Sequence, residues 1–175
     1  MEEKDITKKL FSDSSEDDTY TEHLLEQYKL YINSHEKVSD RRQKTNEFFL
    51  GLNTALLAAL GFIVGKFGDS SVVLVLFALI AGMIICYFWY RIIYSYKGLN
   101  TGKFTVIHAI ESRLPLSLYD TEWDVLGRGE DKEKYWPFSH IEIKIPWVFI
   151  ILYIVIFIAL LPWENIKEYL SFIFN

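Results

Sequence analysis

The chain has 175 residues, is 51% hydrophobic, and carries 18 Lys and Arg against 23 Asp and Glu, a net charge of −5. The negative balance argues against nucleic acid as a partner, and the single cysteine, Cys86, excludes an intramolecular disulfide and a Cys-based metal site. The apolar residues are gathered in blocks rather than spread with amphipathic period, which argues against one ordinary soluble core.

From the N-terminus, residues 1–20 form an acidic tail: Ser12, Asp13, Ser14, Ser15, Glu16, Asp17 and Asp18 leave too little apolar surface to order it, so it is expected to be mobile. It has no apolar signal-peptide core, so insertion is expected to rest on internal spans. From about Thr21 the pattern turns helical. Leu24, Tyr28, Tyr31, His35, Val38, Arg42, Thr45 and Phe49 alternate spacings of four and three, a heptad seam over the cytoplasmic helix 21–47. No Gly or Pro interrupts Glu22 to Leu50, so the helix is expected to run on into the first apolar block, reaching roughly 70 Å at about 1.5 Å per residue. The chain is too small to cover so long a helix alone, which favours self-association along the seam; an intramolecular contact with a helix over Lys103 to Leu114 is the alternative.

Phe48 to Phe67 is the first block long enough to cross a bilayer, with no charge before Lys66. Within it Gly51, Ala55, Ala58, Ala59, Gly61 and Gly65 let backbones approach, and Gly61 with Gly65 makes G-x-x-x-G. Two readings stand for these residues: contact between copies, or packing against the second span. Asn53 and Thr54 are polar at a depth where an unpaired amide is costly, so they bond across helices or face water. Val72 to Tyr90 is the core of a second span assigned to 72–94, ending in Tyr87, Trp89, Tyr90 and Tyr94 at the headgroup level. Arg41, Arg42 and Lys44 precede the first span and Arg91, Lys97 and Lys103 follow the second, which places the N-terminus and the middle segment in the cytoplasm.

The middle segment, 95–145, reads as helical: Thr101 caps a helix over Lys103 to Leu114, Pro115 stops it, and Leu118 to Leu126 forms a second short helix. An aromatic run, Tyr135 to Phe138, precedes the third apolar block, Pro146 to Trp163. That block crosses the membrane with 164–175 as an interfacial amphipathic tail, or else Pro146 to Asn175 is one re-entrant element. No H-E-x-x-H, C-x-x-C, P-loop, G-x-G-x-x-G or G-x-S-x-G occurs. His140 with Glu142, and Asp120, Glu122 and Asp124, read as structural or solvated groups. The chain is therefore expected to be non-enzymatic, with no catalytic residue, cofactor or metal.

Several blocks carry a resemblance: Ser39-Asp40-Arg41-Arg42-Gln43-Lys44-Thr45-Asn46-Glu47-Phe48-Phe49 with Leu52-Asn53-Thr54-Ala55-Leu56, Gly102-Lys103-Phe104 with Ile107-His108 and Ile110-Glu111, Leu114-Pro115-Leu116 with Glu122-Trp123, and Tyr135-Trp136-Pro137-Phe138-Ser139-His140-Ile141-Glu142 before Ile145-Pro146. Together, over roughly Tyr28 to Trp163, they resemble the RipA family of octameric bacterial membrane proteins. The resemblance implies a cytoplasmic-membrane protein that assembles into a ring, with a role in envelope homeostasis or stress survival and no catalytic residues to carry over.

The resulting expectation is an all-α, multi-pass protein of the bacterial inner membrane whose partners are copies of itself, as an octamer by resemblance, and membrane lipids. Tyr28, Tyr31, His35, Arg42, Thr45, Asn53, Thr54, Ala55, Gly61 and Gly65 are the expected interface or axis residues. Asn53, Thr54 and Lys66 would face a central axis, with Arg41, Arg42 and Lys44 around its cytoplasmic mouth. Such a ring is a pore or a scaffold. The rival reading is a membrane-permeabilising effector of a stress or phage-defence system that receives a signal from a cytoplasmic partner. A third is a lipid-binding or lipid-modifying protein using Tyr135 to Phe138 and His140.

Overall fold

In the computed structural model of the chain, residues 3–11, 18–68, 72–130, 133–135 and 141–161 are described. The elements are α1 (Glu3–Leu10), α2 (Asp18–Phe67), α3 (Val72–Glu111), α4 (Leu118–Val125), a 3₁₀ turn (Gly127–Gly129) and α5 (Ile145–Ala159). All of these elements are helical, and two of the helices are long and apolar enough to cross a membrane.

The first long helix runs unbroken for 50 residues, about 75 Å at about 1.5 Å per residue, as the absence of breakers between Glu22 and Leu50 requires. It starts at Asp18, ahead of the expected Thr21, and α1 stands where a mobile tail was expected. Ile6, Leu10 and Phe11 give that segment an apolar side despite the acidic run behind it, and the Arg113 guanidinium lies 3.7 Å over the Phe11 ring. The run 12–17 itself lies outside the described residues.

A second correction concerns α3. The span and the expected middle helix are one 40-residue helix. Thr101 does not cap it: its hydroxyl donates to the Lys97 carbonyl at 3.1 Å, and the Thr105 hydroxyl donates to Thr101 at 3.0 Å. Both are back-bonds of a helix interior. No proline lies between Val72 and Leu114, so nothing forces a break before Pro115, which disfavours helical backbone at the residue ahead of it. The helix ends at Glu111, and the Arg113 and Leu114 amides close the last turn on Ile110 and Glu111. Beyond α4 the chain reverses through Gly127, Arg128 and Gly129, all at positive φ (70°, 50° and 76°), a conformation that costs glycine little.

The chain divides into two compact units, Met1–Asn46 with Ile92–Glu142, and Glu47–Arg91 with Ile143–Asn175. The first contains the heptad seam as far as Thr45 and buries Ile93, Ile107, Ala109 and Ile110 together with the polar His35 and Glu111. The second contains the apolar blocks. Leu60, Val75, Leu79, Cys86 and Tyr153 form its core, with Leu56, Leu57, Ile63, Met83, Phe149 and Phe157 packed around them. Trp89, also buried, stacks on Phe49 (5.8 Å between centroids) and meets Phe149 at 6.0 Å. α5 has Pro146 in its first turn, where the missing N–H is no loss. Its 15 residues cover about 22 Å at about 1.5 Å each; Trp163, the tail 164–175 and the run 136–140 with His140 lie outside the described residues.

Candidate functional site

The apolar unit presents two opposite faces on α2. Residues 49, 53, 56, 57 and 60 share one side by helical spacing, and residues 51, 54, 55, 58, 62 and 65 share the other. On the first, Asn53 is fully buried. Its amide nitrogen donates to the Phe49 carbonyl at 2.8 Å, while its oxygen accepts from the Cys86 thiol at 3.0 Å and from the Tyr153 hydroxyl at 2.9 Å. One polar side chain thus joins α2, α3 and α5 where lipid offers no alternative partner. Gly82 completes the junction, since a Cβ there would lie 2.6 Å from Tyr153 Cζ. Asn53 therefore does not face an axis; it is the internal clasp of its own unit.

The other face is open. Thr54, Ala55, Ala58, Gly61 and Gly65 are exposed, and a Cβ added at Gly51, Gly61 or Gly65 would meet nothing within 4 Å. The expected G-x-x-x-G is thus not used against the second span. The Thr54 hydroxyl is satisfied within its helix by the Leu50 carbonyl at 2.8 Å, so the residue can meet an apolar surface without an orphaned donor. Lys66 lies over the Phe62 and Phe67 rings at 5.7 and 5.4 Å.

In the first unit the seam is real, and within the chain it meets α3. Leu24, Tyr28, Tyr31, Val38, Arg42 and Thr45 are half-buried and His35 is buried. The Tyr28 hydroxyl donates to Glu111 Oε1 at 2.7 Å, Lys103 Nζ lies 4.5 Å over the Tyr31 ring, and His35 meets Phe104 edge-on at 4.8 Å. Within the chain, Tyr28, Tyr31 and His35 thus make the contact with α3 that the sequence offered as the alternative to self-association. Arg42 faces Glu142, with Nε 3.5 Å from Oε2, whereas Arg41 and Lys44 are exposed. The Thr45 hydroxyl donates to the Arg41 carbonyl at 2.8 Å.

Glu111 was missed as a functional group by sequence reasoning. Its carboxylate is 1% exposed, and besides the Tyr28 hydroxyl it accepts the Tyr119 amide at 3.0 Å and the Asp120 amide at 3.2 Å. These are the free N–H groups of the first turn of α4, so a carboxylate from another helix does the work of a cap and meets the positive end of the helix dipole. Ser117, the residue at the cap position, makes no side-chain cap bond. Burial and the neighbouring Glu111 carboxylate push the Tyr28 phenol up, keeping it a donor. Burial first, then Lys103 and Arg42, push the His35 imidazole down. Burial also raises Tyr119, helped by Glu36, Glu122 and Glu111.

No curated protein and no solved structure matches the chain. Residues 25–162 match the octameric membrane protein family, a stretch that holds the seam, both long apolar segments and α4. Three helices joined by a buried polar clasp, with an open small-residue face on one of them, are features that fit a membrane protein assembling from identical copies, and by this match the chain belongs to the octameric membrane protein family.

Proposed function

We propose that the protein is a non-enzymatic, ring-forming scaffold of the bacterial inner membrane, serving envelope homeostasis or stress survival, whose copies meet through the open face of α2. The observation that carries this reading is the separation of the two faces. Every inward residue has its partner inside the unit, while Gly51, Thr54, Ala55, Ala58, Gly61 and Gly65 lie in open space within a family of octamers. Small residues on a lipid-exposed helix lose nothing by contact with another backbone and gain close van der Waals approach.

The topology proposed with it is multi-pass, with the N-terminus and the soluble unit cytoplasmic, supported by Arg41, Arg42 and Lys44 before the first span and Arg91, Lys97 and Lys103 after the second. Exposed Trp147, Ile151, Val155 and Ile158 of α5 suit a lipid-facing outer surface. A conducting pore is the variant to separate from a scaffold. Purified protein in planar bilayers should show no conductance; reproducible single-channel steps that disappear on Thr54→Leu would replace the scaffold with a pore.

A further inference from the structure

The soluble unit holds a cleft of about 1120 Å³, ample for a small molecule, since such sites usually enclose roughly 300–1,000 Å³. From α2 and α3 its wall receives His35, Arg42, Lys97, Asn100 and Phe104; from α4 and the segment around it come Tyr119, Asp120 and Trp123. Three wall atoms are buried and make no hydrogen bond: His35 Nδ1, Asn100 Oδ1 and His108 Nε2. His35 is 8% exposed. Buried polar atoms almost always have partners, so three unpartnered ones on a single cleft point to a polar ligand there. Arg42 Nε is buried as well, held only by the 3.5 Å ion pair to Glu142, which is too long to count as a hydrogen bond.

The chemistry of the wall narrows the occupant. The wall carries three cations, Arg42, Lys97 and Arg128, against two carboxylates, Asp120 and Glu122, a balance that favours an anion. Asn100 Oδ1 only accepts, so the occupant must also carry a donor near it, and imidazole nitrogens suit hydroxyl groups in either direction. Phe104, Tyr119 and Trp123 offer apolar cover for the remainder. Asp120 is already engaged by Arg128 at 3.3 Å, so its charge is partly offset.

We propose that this cleft binds a hydroxyl-bearing phosphate ester, with Arg42 and Lys97 opposite the phosphate and Asn100, His35 and His108 meeting the hydroxyls. Two sources supply that chemistry, a soluble sugar phosphate and the glycerol phosphate headgroup of an anionic lipid. The site stands independently of which face makes the oligomer.

The test uses the full chain in phosphatidylcholine nanodiscs, titrated calorimetrically with ribose 5-phosphate and with AMP, and in parallel discs containing phosphatidylglycerol read by native mass spectrometry for retained lipid. Binding of either soluble probe assigns a soluble ligand; retention of phosphatidylglycerol alone assigns the lipid. In both cases Lys97→Met and Arg42→Gln should each weaken binding by about tenfold or more, as expected for loss of a charge-assisted contact. Arg41→Gln, exposed and outside the cleft, should leave it unchanged, and thermal unfolding of each variant confirms that it folds. No binding of any of the three probes overturns the proposal, and so does an Arg41→Gln loss equal to that of Lys97→Met, which would reduce the effect to surface charge.

Discussion

The two units solve the same problem, fastening α2 to its neighbours, with opposite materials. In the first unit the fastener is a buried carboxylate, Glu111, whose three donors come from Tyr28 on α2 and from the first turn of α4. The apolar unit uses a neutral amide, Asn53, bonded to a thiol and a phenol, together with a close approach at Gly82. The difference fits the two environments proposed for the units, water and lipid. Where water drives apolar burial, a charge can be buried if all its bonds are made; where lipid replaces water, charge is too costly and association relies on close packing and neutral hydrogen bonds.

Removing the charged fastener should do the most damage. Glu111→Ala leaves the Tyr28 hydroxyl and two amides without their acceptor, and a loss of about 2–4 kcal/mol is expected from such orphaned buried groups; Glu111→Gln, which keeps an acceptor, should cost less. Chemical unfolding of the two variants gives the ranking, and equal losses would show that the acceptor role is misassigned. Next comes Gly82→Ala. Its methyl would push into the Tyr153 ring, and overpacking of this kind costs about 1–3 kcal/mol, whereas Gly61→Ala in open space should leave protomer stability in detergent unchanged. Thermal unfolding of the pair is a direct contrast between the two sides of the apolar unit. Tyr153→Phe removes one of the two side-chain donors to Asn53 and should cost about 0.6 kcal/mol, up to about 1.7, the range for hydrogen bonds between membrane helices.

The smallest effect expected is a pH slope confined to the unit that holds His35. Burial and the nearby Lys103 and Arg42 depress the His35 pKa, with Glu36 opposing. The unfolded chain therefore binds the proton at higher pH than the native one, so this stabilisation is present above about pH 6.5, the ordinary histidine value, and fades as pH falls below it. Unfolding midpoints measured from pH 7.5 to 5 should decline, and His35→Gln should flatten part of the decline.

Much of this architecture was legible because it rests on periodicity and length. The seam from Leu24 to Phe49 lies on the less exposed side of α2, His35 buried and every other member half-buried, since heptad spacing reports which side is covered. It carries no information about what covers it, and within the chain Tyr28, Tyr31 and His35 meet α3. Asn53 and Thr54 looked equivalent as adjacent polar residues, yet one helical step of about 100° puts the first against Cys86 and Tyr153 and the second in the open. Glu111 was illegible as a cap because its amides lie eight and nine residues away, beyond the local spacing of a capping box. Thr101 misled in the opposite sense: a hydroxyl that fits a cap also fits a helix interior when it bonds back to the carbonyl four residues earlier.

The central claim is that copies meet through the open face of α2, and the stoichiometry of the wild type beside Gly61→Leu and Ala55→Leu in nanodiscs tests it most directly. Native mass spectrometry should show the wild type as an octamer and both variants as smaller species with unchanged helical content, while Ile151→Ala on α5 leaves the octamer intact. Octamers of undiminished abundance for both α2 variants would contradict the account and place the interface elsewhere.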